Sequence, residues 1–224
     1  MADFWSRYRR NRAAVLGLGI LLTILIMAAT AHLFYPEDPF RLVGRPLSGP
    51  LENGFLLGSD SLGRDVASGI VHGAKTSLLI GLIATLVSIF IGIFFGAFAG
   101  YFGGRIDDLL MRITEIFQTI PSFIFAILLV AIMKPSIVSI VIAIAVVSWP
   151  GVARLVRGEF LSLKNREFVQ ACHTLGMSDL RVMMKEILPN CLSPIIVIGS
   201  LMVATAILIE SGLAFLGLGD PNIM

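Results

Sequence analysis

Residues 76–102 run for 27 positions without an aspartate, glutamate, lysine, arginine or histidine. At 1.5 Å per residue, a helix of that length is roughly 40 Å long, more than the ~30 Å hydrocarbon layer of a bilayer. The run is continuously apolar and lacks the period-two alternation of a barrel strand. In hydrocarbon, backbone donors and acceptors must be satisfied inside the segment, and a helix does this by itself. Four further runs behave similarly: 13–34, 116–133, 136–153 and 191–208. Of the 224 residues, 56% are hydrophobic and 14% charged, against about 25% charged in an ordinary soluble domain. The sequence therefore predicts an all-α, polytopic transmembrane bundle with five spans. The first run has a second reading. Arginines ahead of it and Ala29-Thr30-Ala31 at its end fit a cleavable signal peptide, although the run is longer than a usual signal core. Four spans remain in either case.

Basic residues set the orientation of such a chain. If the spans alternate, Arg7, Arg9, Arg10, Arg12, Arg105, Arg112, Arg154, Arg157, Lys164, Arg166, Arg181 and Lys185 share one side, twelve in all. The other side holds five: Arg41, Arg45, Arg64, Lys75 and Lys134. The amino terminus and the 154–190 connection are predicted to be cytoplasmic, and the 35–75 loop outward. Residues 1–12, with Phe4, Trp5 and Tyr8 among arginines, suit a segment lying in the cytoplasmic interface. The net charge of +2 gives no reason to expect a nucleic-acid partner.

The 154–190 connection is long and polar, and its centre reads EFVQACHTLGMSDLRVMMKEILPN (167–190). The composition predicts a helix from Glu167 to Leu175, ended by Gly176 in a left-handed turn. Ser178 stands where it can cap a second helix, and Pro189 is expected to break the pattern before the next span. A helix–glycine–helix hairpin on the cytoplasmic face is a shape that can plug into a partner; the bland alternative is a solvated loop.

These residues resemble the coupling motif of type I ABC importer permeases: Glu-Ala-Ala, three residues, Gly, nine residues, then Ile-x-Leu-Pro. Here Gln170-Ala171-Cys172 is followed by Gly176 and by Leu188-Pro189 at the family spacing. Gln170 replaces the acidic residue, and Glu186 takes the isoleucine position with Ile187 beside it. LGSDSLGRDVASGIVHGAKTSLLIG (57–81), WPGVARLVRGEFLSLKNREFV (149–169) and ESGLAFLGLGDP (210–221) resemble the dipeptide, oligopeptide and nickel branch, in its C-type subunit.

The resemblance implies a permease in the bacterial plasma (inner) membrane, forming half of a translocation pathway. It implies a sister permease as heterodimer partner, two ABC ATPases holding ATP and magnesium, and an extracytoplasmic substrate-binding protein. Peptides are the expected cargo, with nickel or a nickel chelate as the alternative. The domain reading is an interfacial segment at 1–12, a first transmembrane helix at 13–34, an outward loop at 35–75 and a core permease domain at 76–224 containing the 154–190 coupling loop. The family has six spans and five are visible, so a sixth is expected to be missing after Asp220-Pro221-Asn222-Ile223-Met224.

Other signals carry less. Gly73-Ala74-Lys75-Thr76 is faintly like a phosphate loop, but the chain contains no Gly-Lys dipeptide. ATP hydrolysis is expected elsewhere, and no cofactor in this chain. Cys172 and Cys191 read as small apolar fillers, and three scattered histidines offer no metal cluster. Gly92, Gly96 and Gly100 form a small-residue row for close helix packing, with its partner helix open. Glu210, near the end of the fifth run, is either a pathway or outer-gate residue or a solvated interfacial one. Pro121 and Pro150 are candidate kinks, and Asp60, Arg64 and Asp65 a cluster that orders the outward loop. An ATP-independent secondary transporter or channel is a further alternative. It fits less well, because the first, second and fourth runs hold no aspartate, glutamate, lysine or arginine of the kind ion coupling requires, and His32 near the end of the first is their one histidine. No catalytic constellation points to a membrane enzyme.

Overall fold

The apolar runs become helices, and their polar edges decide where each helix bends or stops. In the computed structural model, residues 8–52 and 54–220 are described. Phe4, Trp5 and most of the expected 1–12 segment lie outside them, as do Pro221 to Met224. Helix α1 (Arg12–Ala29) starts at Asn11, whose side chain accepts from the Ala14 amide. The first span is not one helix over 13–34. Thr30 interrupts it, and a short α2 (Ala31–Phe34) follows, with the Thr30 hydroxyl bonded back to the Ile26 carbonyl.

The described residues of 35–65 form an irregular loop, among which one isolated bridge joins Ser59 to Asp65. Asp60 organises its end, accepting from the amides of Leu62 and Arg64 at 2.8 Å each. The Arg64 amide is the first cause that holds the Asp60 carboxyl below its ordinary value of 3.8. The Arg64 guanidinium stacks 5.4 Å from the centre of the Phe40 ring. The loop end is ordered by the Asp60 carboxylate accepting from backbone amides, while no ion pair joins Asp60, Arg64 and Asp65 among the described residues. Helix α3 (Val66–Phe102) begins ten residues before the predicted span, so the last part of the expected outward loop is helical.

From residue 78 onward the helices share one bundle core. Gly103 and Gly104, both at positive φ, turn the chain from α3 into α4 (Gly104–Gln118). Helix α4 is amphipathic and meets α5 (Ser122–Met133) at a bend of 80°. The third span is therefore not a straight helix over 116–133. Its uniformly apolar part is α5 alone, 12 residues or roughly 18 Å, short of the hydrocarbon thickness. Pro121 causes the break, since it has no amide hydrogen and stands at the N-cap of α5 with extended ψ. Among the described residues, four helices are long and apolar enough to cross a membrane, and a fifth crossing exists if the bent pair counts as one.

Helix α6 (Ile137–Leu163) runs through Pro150 as one helix. Ser136 caps it by accepting from the Ser139 amide, and Asp220 accepts from the Ile137 amide at 3.2 Å. The hairpin helices are α7 (Glu167–Thr174) and α8 (Asp179–Val182). A π-turn (Met183–Ile187) leads into α9 (Leu188–Leu213), and a second π-turn (Ala214–Leu218) ends the fifth span.

The glycine row of α3 finds its partner inside the chain. A Cβ on Gly100 would lie 2.6 Å from Phe160 Cβ, and Cβ atoms on Gly92 and Gly96 would be closer still to Val152 and to the Ala153 carbonyl. The row is thus a seam on which α6 rests. Around it lie Ala97, Val152, Val156, Phe160, Val169, Val182, Met183, Ile187 and Cys191, all buried, with half-buried Cys172 packed against them. A second cluster unites Ile80, Ala126, Val130, Ile140, Ile144, Ala206 and Leu213.

Candidate functional site

The hairpin between α6 and α9 is the part of the bundle with the most specific local design. Helix α7 ends in a Schellman arrangement. The Met177 amide donates to the Cys172 carbonyl at 3.1 Å and the Gly176 amide to the His173 carbonyl at 3.0 Å. Gly176 has φ +77°, the left-handed conformation its position predicted. Ser178 occupies the N-cap of α8 with extended backbone, but its side chain makes no capping bond. Position, not hydroxyl chemistry, makes it the cap.

Pro189 does not break the helix. The π-turn before it widens the backbone, so that the Leu188 amide bonds five residues back to the Met183 carbonyl. That widening accommodates a proline that offers no amide hydrogen to the ladder. Ile187, beside the family isoleucine position, is fully buried in the core, whereas Glu186 is half-buried. The polar connection is also shorter than 154–190. Its first ten residues complete α6, and its last three open α9.

The other residues named from the sequence divide by burial. Gln170, Ala171, Gly176 and Pro189 are exposed, and Cys172 and Leu188 are half-buried. The Gln170 amide nitrogen donates to the Asn165 carbonyl at 3.3 Å, so this side chain tends the turn that leads into α7. Beside them stand apolar residues that sequence reasoning missed. Leu175 is 82% exposed and Leu180 61%, with Phe168 and Met184 exposed too. Val169, Val182 and Met183 fix the opposite face in the core. A hairpin anchored on one side and apolar on the other has the make-up of a docking element. No local signal in the sequence reported that exposure, because packing decides which face of α7 and α8 the core claims.

Two polar arrangements tie the helices to one another, and the second of them reaches the hairpin. Arg157 of α6 grips Asp107 of α4 with a two-pronged ion pair, Nε to Oδ1 at 2.5 Å and a terminal nitrogen to Oδ2 at 2.6 Å. Both were counted among the charges of the sequence, but their 50-residue separation hid the pairing. Asp108, Arg112, Glu115 and Arg154 line an open polar cavity of about 610 Å³ next to this pair. Tyr101, in the last turn of α3, meets His173 and Asp179 of the hairpin.

Glu210 lies apart from these groups. It is 2% exposed, on the α9 face it shares with buried Ala206 and Leu213. The solvated interfacial reading of Glu210 is thereby corrected. Helix packing encloses the carboxyl within the span.

A hydrophobic bundle with four or five helical passes long and apolar enough to cross a membrane, among the described residues, has the architecture of a membrane transport subunit. The chain belongs to the family described as binding-protein-dependent transport system inner membrane component, whose model matches residues 92–223. The model of the N-terminal transmembrane domain of oligopeptide transport permease C matches residues 1–47. The chain is 41% identical over 217 residues to the dipeptide transport system permease protein DppC of Bacillus subtilis, covering 97% of this chain and 68% of that protein. It is 41% identical over 225 residues to the oligopeptide transport system permease protein OppC of Escherichia coli K12, covering 98% and 74%. The corresponding OppC of Salmonella typhimurium is 43% identical over 222 residues, again covering 98% and 74%. The chain is a multi-pass inner-membrane permease subunit of an ABC transporter, not an enzyme.

Proposed function

We propose that this chain is one half of the translocation pathway of a peptide importer. Its relatives are named as dipeptide, di/tripeptide and oligopeptide permeases, and that agreement supports peptides as cargo over nickel. A sister permease completes the pathway as a heterodimer, within the lipid bilayer. An extracytoplasmic binding protein delivers the peptide. Two ABC ATPases bind ATP and magnesium and supply the energy, and this chain holds no cofactor. The amino terminus is cytoplasmic and the 35–75 loop outward, on the strength of the twelve-to-five basic asymmetry.

The observation that carries the proposal is the hairpin: one face in the core, the other exposing Leu175 and Leu180 across the left-handed turn at Gly176. In this reading the exposed face seats in an ATPase groove. Ala171 and Cys172 are small enough for close approach. Leu188 and Pro189 hand the movement directly into α9. When the ATPases close on ATP, the hairpin is pushed as a rigid body and the pathway opens to the other side. Glu210, in the outer part of the same helical span, is the proposed pathway or outer-gate residue.

The test is uptake in cells that lack this gene product. Restoring the chain with its partner subunits is expected to restore ATP-dependent uptake of radiolabelled trialanine, with no effect on nickel uptake. Restored nickel uptake without peptide uptake would contradict the cargo. Peptide uptake that persists without the ATPases would contradict the energy source.

A further inference from the structure

The Tyr101 hydroxyl is the point where both arms of the hairpin meet α3. It donates to Asp179 Oδ1 at 2.7 Å and lies 3.3 Å from His173 Nε2. A phenol carries one proton. With that proton directed at Asp179, the oxygen can only accept from the imidazole, so His173 holds a proton on Nε2 at this contact. His173 stands in the last turn of α7, and Asp179 opens α8. Six residues apart in sequence, they converge on one atom because the Gly176 turn reverses the chain between them. His173 Nδ1 is itself 4.0 Å from Asp179 Oδ1. The ring of Tyr101 packs against the core cluster and its centre lies 6.5 Å from that of the His173 ring, contacts that a phenylalanine would keep. Lys164, just past the end of α6, reaches the Tyr101 carbonyl at 3.4 Å.

The placement of this cluster has a mechanical meaning. Helices α3 and α6 are held together by the glycine seam, so they behave as one pair. The hairpin leaves α6 through only Lys164, Asn165 and Arg166, a short non-helical turn. A turn of that kind is a hinge that can absorb a push by pivoting. Apolar packing under the hairpin is non-directional and resists such a pivot poorly. Directed hydrogen bonds from both arms to one fixed hydroxyl span the hinge and oppose it.

We propose that Tyr101 is a positioning residue of the coupling step: its hydroxyl latches both arms of the hairpin to α3, across the 164–166 hinge, so that a push on the hairpin moves the α3–α6 pair. The proposal rests on the coupling role given to the hairpin above. Tyr101→Phe is the direct test, because it keeps the packed ring and removes the oxygen. The measurements are made on the assembled transporter in lipid nanodiscs, with trialanine delivered by the binding protein. Amide exchange over residues 167–182 is expected to rise about tenfold, the scale set by losing a hydrogen bond to a charged group. Transported peptide per ATP hydrolysed is expected to fall about fivefold, with ATPase association unchanged. Asp179→Asn, which keeps an acceptor for the phenol, is expected to retain coupling, and Asp179→Ala to lose it.

Unchanged exchange in Tyr101→Phe would overturn the latch. Raised exchange with normal peptide per ATP would overturn the positioning role, whether or not the hairpin couples. Lower melting temperature and protein level with normal peptide per ATP in the molecules that remain would mean that the contact is structural only, and would also overturn the proposal. If Tyr101→Phe fails to assemble, the comparison of Asp179→Asn with Asp179→Ala decides: equal coupling in the two would sink the latch. Failure of the hairpin reading itself is recognised separately, by full transport in a Gly176→Val transporter.

Discussion

Gly176 is the single residue on which the proposed coupling geometry turns. Its φ of +77° is a conformation that side chains with a Cβ resist, β-branched ones most. No atom lies within 4 Å of the position a Cβ would take, so the strain would come from the backbone and not from a clash. In Gly176→Val the cost is expected to be roughly 1–2 kcal/mol, released by reorienting α8 relative to α7. The spans do not depend on that turn, so membrane levels should stay normal while transport falls or ATP hydrolysis uncouples from it. Lys164 is unsuitable as a surface control, because its ammonium reaches the Tyr101 carbonyl. Leu42→Ala is better, since Leu42 is 66% exposed and lies outside the hairpin. The sequence made Gly176 legible because a glycine after a helix-forming run has a local meaning. Tyr101 was not legible. Its partners lie 72 and 78 residues away, and no local pattern reports contacts of that range.

At the scale of elements, the α3–α6 seam is a joint at which two helices approach too closely for a side chain. A methyl on Gly96 would meet the backbone of α6 at the Ala153 carbonyl and the Arg157 amide, and backbone cannot rotate away as a side chain can. Gly96→Ala is therefore expected to destabilise by about 1–3 kcal/mol through overpacking, despite alanine's better helix propensity. Gly158→Ala on α6, with no atom within 4 Å of the added methyl, should be neutral or stabilising by up to about 1 kcal/mol. Thermal unfolding of both variants in detergent checks the contrast, and equal stability would remove the seam from the account. The existence of the long helices was readable from composition, because lipid demands unbroken apolar helices. Their bends were less readable. Pro121 breaks a span with an 80° turn, yet Pro150 sits inside a continuous helix and Pro189 is absorbed by a π-turn. Proline removes the same donor each time, and the packing around it decides the outcome.

For the molecule as a whole, the account requires a defined orientation and a defined partner surface. Ser48 is half-buried, and its hydroxyl bonds the Arg45 carbonyl, so labelling is better aimed at exposed Leu56 in the same loop. With Cys172 replaced by alanine, Leu56→Cys should react with an impermeant maleimide in intact cells. Reaction only after permeabilisation would invert the topology. The partner surface was half-visible in the sequence. The motif spacing located the hairpin, but the exposure of Leu175 and Leu180 follows from which side of α7 and α8 the core claims.

That surface also gives the most direct test of the central claim, that the hairpin is where the ATPases engage this permease. A photo-crosslinking residue placed at Leu175 in the assembled transporter should give an adduct with an ATPase subunit. The same residue at Leu201, exposed on the apolar flank of α9, should give none with it. Adducts from Leu175 that contain only lipid or detergent, in a transporter whose ATPases remain bound, would contradict the account.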